Sequence, residues 1–307
     1  MKRSFAPRTL AGYKATIKRY WRFCEEARIP VSRRFPASED TISDFMASFA
    51  GKKAGATAAN ALAALHSWHD ANNIPWNASR QVRLILRGVK KLAPSSSKRT
   101  RRPGVLKEMM RTLHDGLNLN SPFDSAVYAA ASIAFWGLCR LGELVGTARL
   151  KHNPTLRPSR SSVTMKPTSG APIELHLPST KTSQIQGESI RIAPQRGRLD
   201  PGYALANMFY INRGIPKSAH LFAFWGTNQE VRCLTSEAFL SRCNKIWKDQ
   251  GIQQITGHSF RIGGTNTYLE AGVPPEIVRF QGRWKSDAYF DYWRSSNKLN
   301  TLYTKHV

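Results

Sequence analysis

From residue 8 to residue 93 apolar side chains recur at three- and four-residue steps, the spacing of one helix face. Leu10, Tyr13, Ile17, Tyr20 and Cys24 form the first stripe, with Lys14, Lys18 and Arg22 on another. Pro30 and Pro36 end that helix, since proline lacks an amide donor and restrains the residue before it. Ser38-Glu39-Asp40 has the character of a helix start and leads into Ile42, Phe45, Met46 and Phe49. A third helix, Thr57 to His69, is marked by Leu62, Leu65 and Trp68. A fourth, from about Ser79 to Leu92, points Val82, Leu84, Ile85 and Val89 inward and carries Arg80, Arg83, Arg87, Lys90 and Lys91 on its other stripe. Four short helices with basic outer faces predict a small clamp-like domain over residues 1–93.

Pro94-Ser95-Ser96-Ser97-Lys98-Arg99-Thr100-Arg101-Arg102-Pro103 breaks every periodicity and reads as a polar, basic linker. Lys98, Arg99, Arg101 and Arg102 suit a phosphate backbone; a solvated linker or a nuclear-import signal are the competing readings. Beyond it, helices are expected through Leu150. The texture then changes between Ser162 and Ile192: Ile173, Leu175 and Leu177 alternate with polar residues, as do Ser189-Ile190-Arg191-Ile192. Two or three short strands around the turn Ser179 to Ser183 follow from that alternation. Helices return from about Pro201 to the end. The expected fold is mainly α with a small antiparallel β-sheet, the second domain spanning residues 104–307.

Charge then narrows the partner. Lys and Arg number 46 against 20 Asp and Glu, a formal net charge of +26. Such an excess repels itself unless a polyanion neutralises it, which points to nucleic acid. A membrane surface is the alternative, but no run of about 18 apolar residues occurs. Met1 to Pro7 lacks the apolar stretch of a secretory signal. The four cysteines show no Cys-x-x-Cys spacing, which favours buried thiols in a reducing compartment over zinc or disulfides. No ordered carboxylate cluster offers a magnesium site, so no cofactor is expected.

Four segments could carry chemistry on a phosphate. In Trp136 to Leu144, Arg140 sits in an apolar helix and needs an anionic partner; Glu143, one turn on, is that partner or merely a helix ion pair. Lys181 stands in the strand-connecting turn, where an ammonium can swing over a substrate or simply be solvated. His258 and Arg261, three apart on one turn, can reach a single anion; the competing reading is a structural histidine. The adjacent Gly263 and Gly264 favour close approach to a ligand. Gly282-Arg283-Trp284 precedes Tyr289 and Tyr292, two phenols that are either core aromatics or nucleophile candidates, beside Lys285 and Arg294.

Together these segments resemble the tyrosine recombinase (integrase) superfamily, in which an Arg, a hairpin Lys, a His-x-x-Arg pair, a His or Trp, and a nucleophilic Tyr converge. The resemblance covers nearly the whole chain: residues 8–93 look like the helical core-binding domain and 104–307 like the α+β catalytic domain. It assigns Arg140, Lys181, His258 and Arg261 directly. The Gly-Arg-Trp-Lys-Ser-Asp-Ala pattern looks most like recombinases of eukaryotic mobile elements such as cryptons, which implies a nuclear location. Two departures stand out. The family's usual Gly-His is Gly282-Arg283-Trp284 here; Trp284 is the preferred occupant of the His/Trp role, with Arg283 as an extra phosphate contact. Tyr292 fits the nucleophile spacing, and Tyr289 is the fallback.

What the resemblance implies is cleavage and rejoining of double-stranded DNA through a 3′-phosphotyrosyl intermediate, by dimers on one site and tetramers on two. Leu299, Leu302 and Tyr303 are candidates for docking into a neighbouring subunit. A type IB topoisomerase-like enzyme and a catalytically inactive DNA-binding protein of the same fold are the alternatives.

Overall fold

The computed structural model describes residues 7–97, 102–166 and 170–293. Two compact units, Met1–Arg101 and Arg102–Val307, divide the chain. Lys98, Arg99 and Arg101 lie outside the described residues, as do Arg294, Leu299, Leu302 and Tyr303; Arg102 is exposed.

The first unit contains α1 (Pro7–Glu26), α2 (Glu39–Ala47), α3 (Gly55–Ala71) and α4 (Arg80–Lys91). Ser38 caps α2 by accepting from the Thr41 amide, and Ser79 caps α4 by accepting from the Gln81 amide, each meeting a donor with no intrahelical partner. Tyr20, Cys24, Ile42, Phe45, Met46, Leu65, Val82 and Val89 meet in one buried core. Lys14, Lys18 and Arg22 on α1, and Arg80, Arg83, Arg87, Lys90 and Lys91 on α4, are all exposed. Leu84 is a correction: it faces solvent, because it lies two positions from Val82 and so on the opposite side of a 3.6-residue turn.

The second unit is built around α6 (Pro122–Trp136), whose side chains from Asp124 to Trp136 are all buried. A helix apolar all round belongs inside. Ser121 caps it and Pro122 opens its first turn. Asp124 takes two hydrogen bonds, 2.8 and 2.6 Å, from the Arg242 guanidinium of α9 (Ser236–Asp249). Also packed on α6 are α5 (Lys107–Gly116), α7 (Leu141–Leu144), α8 (Pro201–Ile211) and α10 (Gly257–Glu270). The chain then passes through α11 (Pro275–Gln281) to a 3₁₀ turn at Asp287–Tyr292.

Strands β1 (Val163–Thr164), β2 (Ile173–Leu177) and β3 (Glu188–Ile192) form an antiparallel sheet in that order. Ile173 pairs with Ile192 and Leu175 with Ile190, so every second side chain enters the core. A second hairpin, β4 (Ala223–Trp225) with β5 (Val231–Cys233), stands where the sequence reading placed only helix. Three residues per strand are too few for alternation to register.

Two further expectations are corrected. Trp136 to Leu144 is not one helix: the chain breaks at Gly137, Leu138 turns through φ +48°, and α7 starts afresh after Arg140. Helical structure ends at Leu144 rather than running to Leu150. Gly263 and Gly264 serve protein packing, not a ligand. A Cβ on Gly263 would lie 1.8 Å from the Val105 carbonyl oxygen, and one on Gly264 2.0 Å from that of Phe135. Bare backbone lets α10 press against the stretch of chain at Val105, before α5, at Gly263 and against the end of α6 at Gly264.

Candidate active site

Arg140 occupies the N-cap position of α7, where Glu143 accepts from both its backbone amide (2.9 Å) and its guanidinium (2.7 Å). The Glu143 side chain is only 5% exposed, and Arg283 reaches its other side at 2.8 Å. Burial alone would raise this carboxyl, but the charge of Arg283 and the hydrogen bonds from Arg140 outweigh it and hold the pKa below the usual value.

Arg261 projects from α10 and is fully buried. Its guanidinium donates to the Leu138 carbonyl at 2.8 Å and to the Gly282 carbonyl. It lies 4.0 Å from the centre of the Trp284 ring and 5.7 Å from that of Tyr292. Burial, then repulsion from Arg140 and Arg283, lowers its pKa to about 10. Among the described residues the Arg261 Nε and Trp284 Nε1 are buried donors with no acceptor. Trp284 therefore packs against Arg261 and Tyr292 while its indole N–H makes no hydrogen bond with the described protein.

His258 lies in the first turn of the same helix, and its Nε2 is 2.6 Å from the Tyr292 hydroxyl. Trp284 meets the Tyr292 ring edge-on at 5.0 Å. Tyr289 is placed differently. It is buried among Leu138, Leu269, Val278 and Trp284, the core reading that the sequence left open. Only one of the two phenols faces the His258 imidazole.

Lys181 is exposed in the β2–β3 turn. Its neighbours tie that turn to the site: Thr180 donates to Glu188 at 2.8 Å, and the Lys285 ammonium donates to the Thr182 carbonyl at 3.2 Å. Glu188 in turn stands 3.6 Å from the Arg283 Nε. Arg283, expected as a surface phosphate contact, is 7% exposed and committed to these carboxylates. Glu188 was missed, because a single acidic residue opening a strand carries no sequence signal until its partner across the fold is known.

Arg140, Arg261, Arg283, His258, Trp284 and Tyr292 are thus gathered at the junction of α7, α10 and the segment after α11. Arg140 and Arg283 share the Glu143 and Glu188 carboxylates, while Arg261 bonds only backbone carbonyls, so the three guanidiniums outnumber the two carboxylates there. A cleft of about 770 Å³ flanks it, walled by Arg279, Arg283, Trp284 and Lys285 against the sheet, but neither His258 nor Tyr292 lines it. Among the described residues no three His, Cys, Asp or Glu side chains gather as a metal-ligand set.

No protein-family model and no curated protein matches the sequence. Among solved structures, the chain is similar to the XerH site-specific recombinase bound to palindromic difH substrate in a post-cleavage complex. That match has a TM-score of 0.61 at 11% identity, covering 96% of this chain and 78% of the other. It is similar to a lambda integrase dimer bound to a COC′ core site, with TM-score 0.60, 16% identity and coverage of 94% and 89%. The Tn1549 transposon integrase in complex with circular intermediate DNA follows at TM-score 0.52, 14% identity and coverage of 92% and 89%. The fold is that of the tyrosine recombinases and integrases.

Proposed function

We propose that the protein is a site-specific DNA recombinase or integrase whose nucleophile is Tyr292. The observation that carries this reading is the 2.6 Å approach of the Tyr292 hydroxyl to His258 Nε2 beside the paired guanidiniums. Arg140 and Arg261 neutralise the non-bridging oxygens of one phosphate, where fixed positive charge stabilises the five-coordinate transition state. The Tyr292 oxygen attacks phosphorus while its proton passes to His258. The bond from phosphorus to the 5′-oxygen breaks, and that oxygen takes a proton from the Lys181 ammonium. The resulting phosphotyrosyl ester keeps the energy of the phosphodiester, so reversal by a 5′-hydroxyl reseals the strand without a cofactor. Because Trp284 and Tyr292 cover Arg261, the phosphate reaches that guanidinium only when residues 284–293 shift off it. The exposed basic stripes of α1 and α4, with the linker, supply phosphate contacts on the duplex. Self-association on paired sites belongs to the same reading.

The second reading, DNA binding without cleavage, draws on Gly282-Arg283-Trp284 in place of the usual Gly-His and on the covered state of Arg261. A pool of nicked, random-sequence duplexes separates the two. After denaturation in detergent, the wild type is expected to retain covalently attached DNA, and Arg140→Ala and Arg261→Ala to retain none while still binding before denaturation. Wild type that binds the pool but retains nothing would favour the binder.

A further inference from the structure

Arg283 is held on every side. Its Nη2 donates to Glu143 at 2.8 Å, its Nη1 approaches the Gly137 and Gln281 carbonyls at 3.3 Å, and its Nε faces Glu188 at 3.6 Å. Its backbone turns through φ +59°, a left-handed conformation that a long side chain adopts only when its surroundings impose it. The preceding Gly282 permits this turn to close: a Cβ there would overlap the Trp284 ring.

The two carboxylates it joins serve different elements. Glu143 grips the backbone and guanidinium of Arg140. Glu188 accepts from Thr180 at 2.8 Å, and Thr180 closes the β2–β3 turn by accepting from the Ser183 amide at 3.0 Å. Lys181 sits between these turn residues. We propose that Arg283 is a positioning residue that bridges Glu143 and Glu188 and so fixes the Arg140 end of α7 against the turn that presents Lys181. The role of Lys181 and Arg140 in it rests on the recombinase reading above; the bridge itself does not. A guanidinium suits this bridge, because its Nη2 donates to Glu143 while its Nε, 3.6 Å from Glu188 and without a hydrogen bond, adds an ion pair to the second carboxylate that a single ammonium bonded to Glu143 does not reach. Arg283 thereby does in this chain something a histidine at the same position is too short to do.

Two measurements test the bridge. In the DNA-free protein, Arg283→Met is expected to speed amide exchange at Ser183 and Thr180 by about tenfold or more while amides in α6 stay protected. Arg283→Lys should behave like Arg283→Met. If Arg283→Met fails to fold, Arg283→Gln, which keeps a polar head but loses the charge and the reach to Glu188, takes its place and should loosen the same turn. Unchanged turn protection in the folded variants overturns the proposal. The second measurement is single-turnover cleavage of nicked duplexes carrying either an ordinary 5′-oxygen or a bridging 5′-sulfur, which leaves without a proton. Variants that misplace Lys181 should recover on sulfur, so Arg283→Met and Arg283→Gln should show a sulfur-to-oxygen rate ratio about tenfold above wild type. A ratio equal to that of the wild type would refute the link to Lys181. Wild type that cleaves neither duplex refutes the recombinase reading instead, and turn exchange alone then decides the bridge.

Discussion

Gly264→Ala sets two effects of opposite sign against each other. In the interior of a helix, replacing glycine by alanine ordinarily stabilises by about 0.5–1 kcal/mol. At Gly264 the new carbon would lie 2.0 Å from the Phe135 carbonyl oxygen, 2.7 Å from a Leu138 methyl and 3.0 Å from the Phe135 carbonyl carbon. The leucine methyl can rotate away, but the Phe135 carbonyl belongs to the end of α6 and moves only if a helix moves. Overpacking of a close-packed core costs about 1–3 kcal/mol, and a clash with rigid backbone belongs at the upper end. The net expectation is a loss of about 2 kcal/mol, roughly 4–8 °C in the thermal midpoint of the second unit. Arg261 rides on the same helix and bonds the Leu138 carbonyl at 2.8 Å, so the shift also displaces its guanidinium. DNA cleavage should therefore drop by on the order of 100-fold at temperatures where the variant remains folded. The matched control is Gly142→Ala in α7, where nothing lies within 4 Å of the added carbon and no loss is expected. Calorimetric unfolding of both variants checks the argument. A Gly264→Ala midpoint at or above that of the wild type would refute it.

Three other outcomes follow from the same structure. Burial, then the neighbouring His152, lowers the His220 pKa to about 4. The unfolded chain takes up this proton near pH 6.5 and the folded one only near 4, so stability is full above pH 6.5 and declines by about 3 kcal/mol as pH falls to 4. Denaturant midpoints should show this decline, and His220→Asn should flatten it. In the first unit, Arg83→Ala with Arg87→Ala should reduce the slope of log affinity against log salt by roughly 0.9 for each phosphate that the variant no longer neutralises. An unchanged slope would remove α4 from the DNA surface. Lys181→Met should abolish cleavage of ordinary DNA and regain it on DNA with a bridging 5′-sulfur; failure on both would deny its proton-donor role.

Sequence periodicity revealed the helices of the first unit because each buries one face, which leaves a clear stripe of apolar residues. The β2–β3 hairpin was legible for the same reason, since Ile173, Leu175 and Leu177 alternate over a full strand. Arg140 stood out because a charged group in an apolar segment requires a partner, and His258 with Arg261 because three-residue spacing puts both on one helical turn. The break between α6 and α7 was not, since a leucine at φ +48° gives no local warning. Spacing within the family resemblance preferred Tyr292 to Tyr289, but the burial of Tyr289 and the approach of Tyr292 to His258 emerge only from the 3₁₀ turn that carries both. Glu188 and Arg283 lie almost a hundred positions apart, so their pairing exists only in the folded chain.

The central claim is that one phenol, and not its neighbour three positions earlier, becomes bonded to DNA. Wild-type protein trapped on nicked duplexes, digested with a protease and analysed by mass spectrometry should yield a nucleotide-linked peptide modified at Tyr292, absent from Tyr292→Phe and retained in Tyr289→Phe. A linkage at Tyr289, or an adduct that survives Tyr292→Phe, would contradict the account.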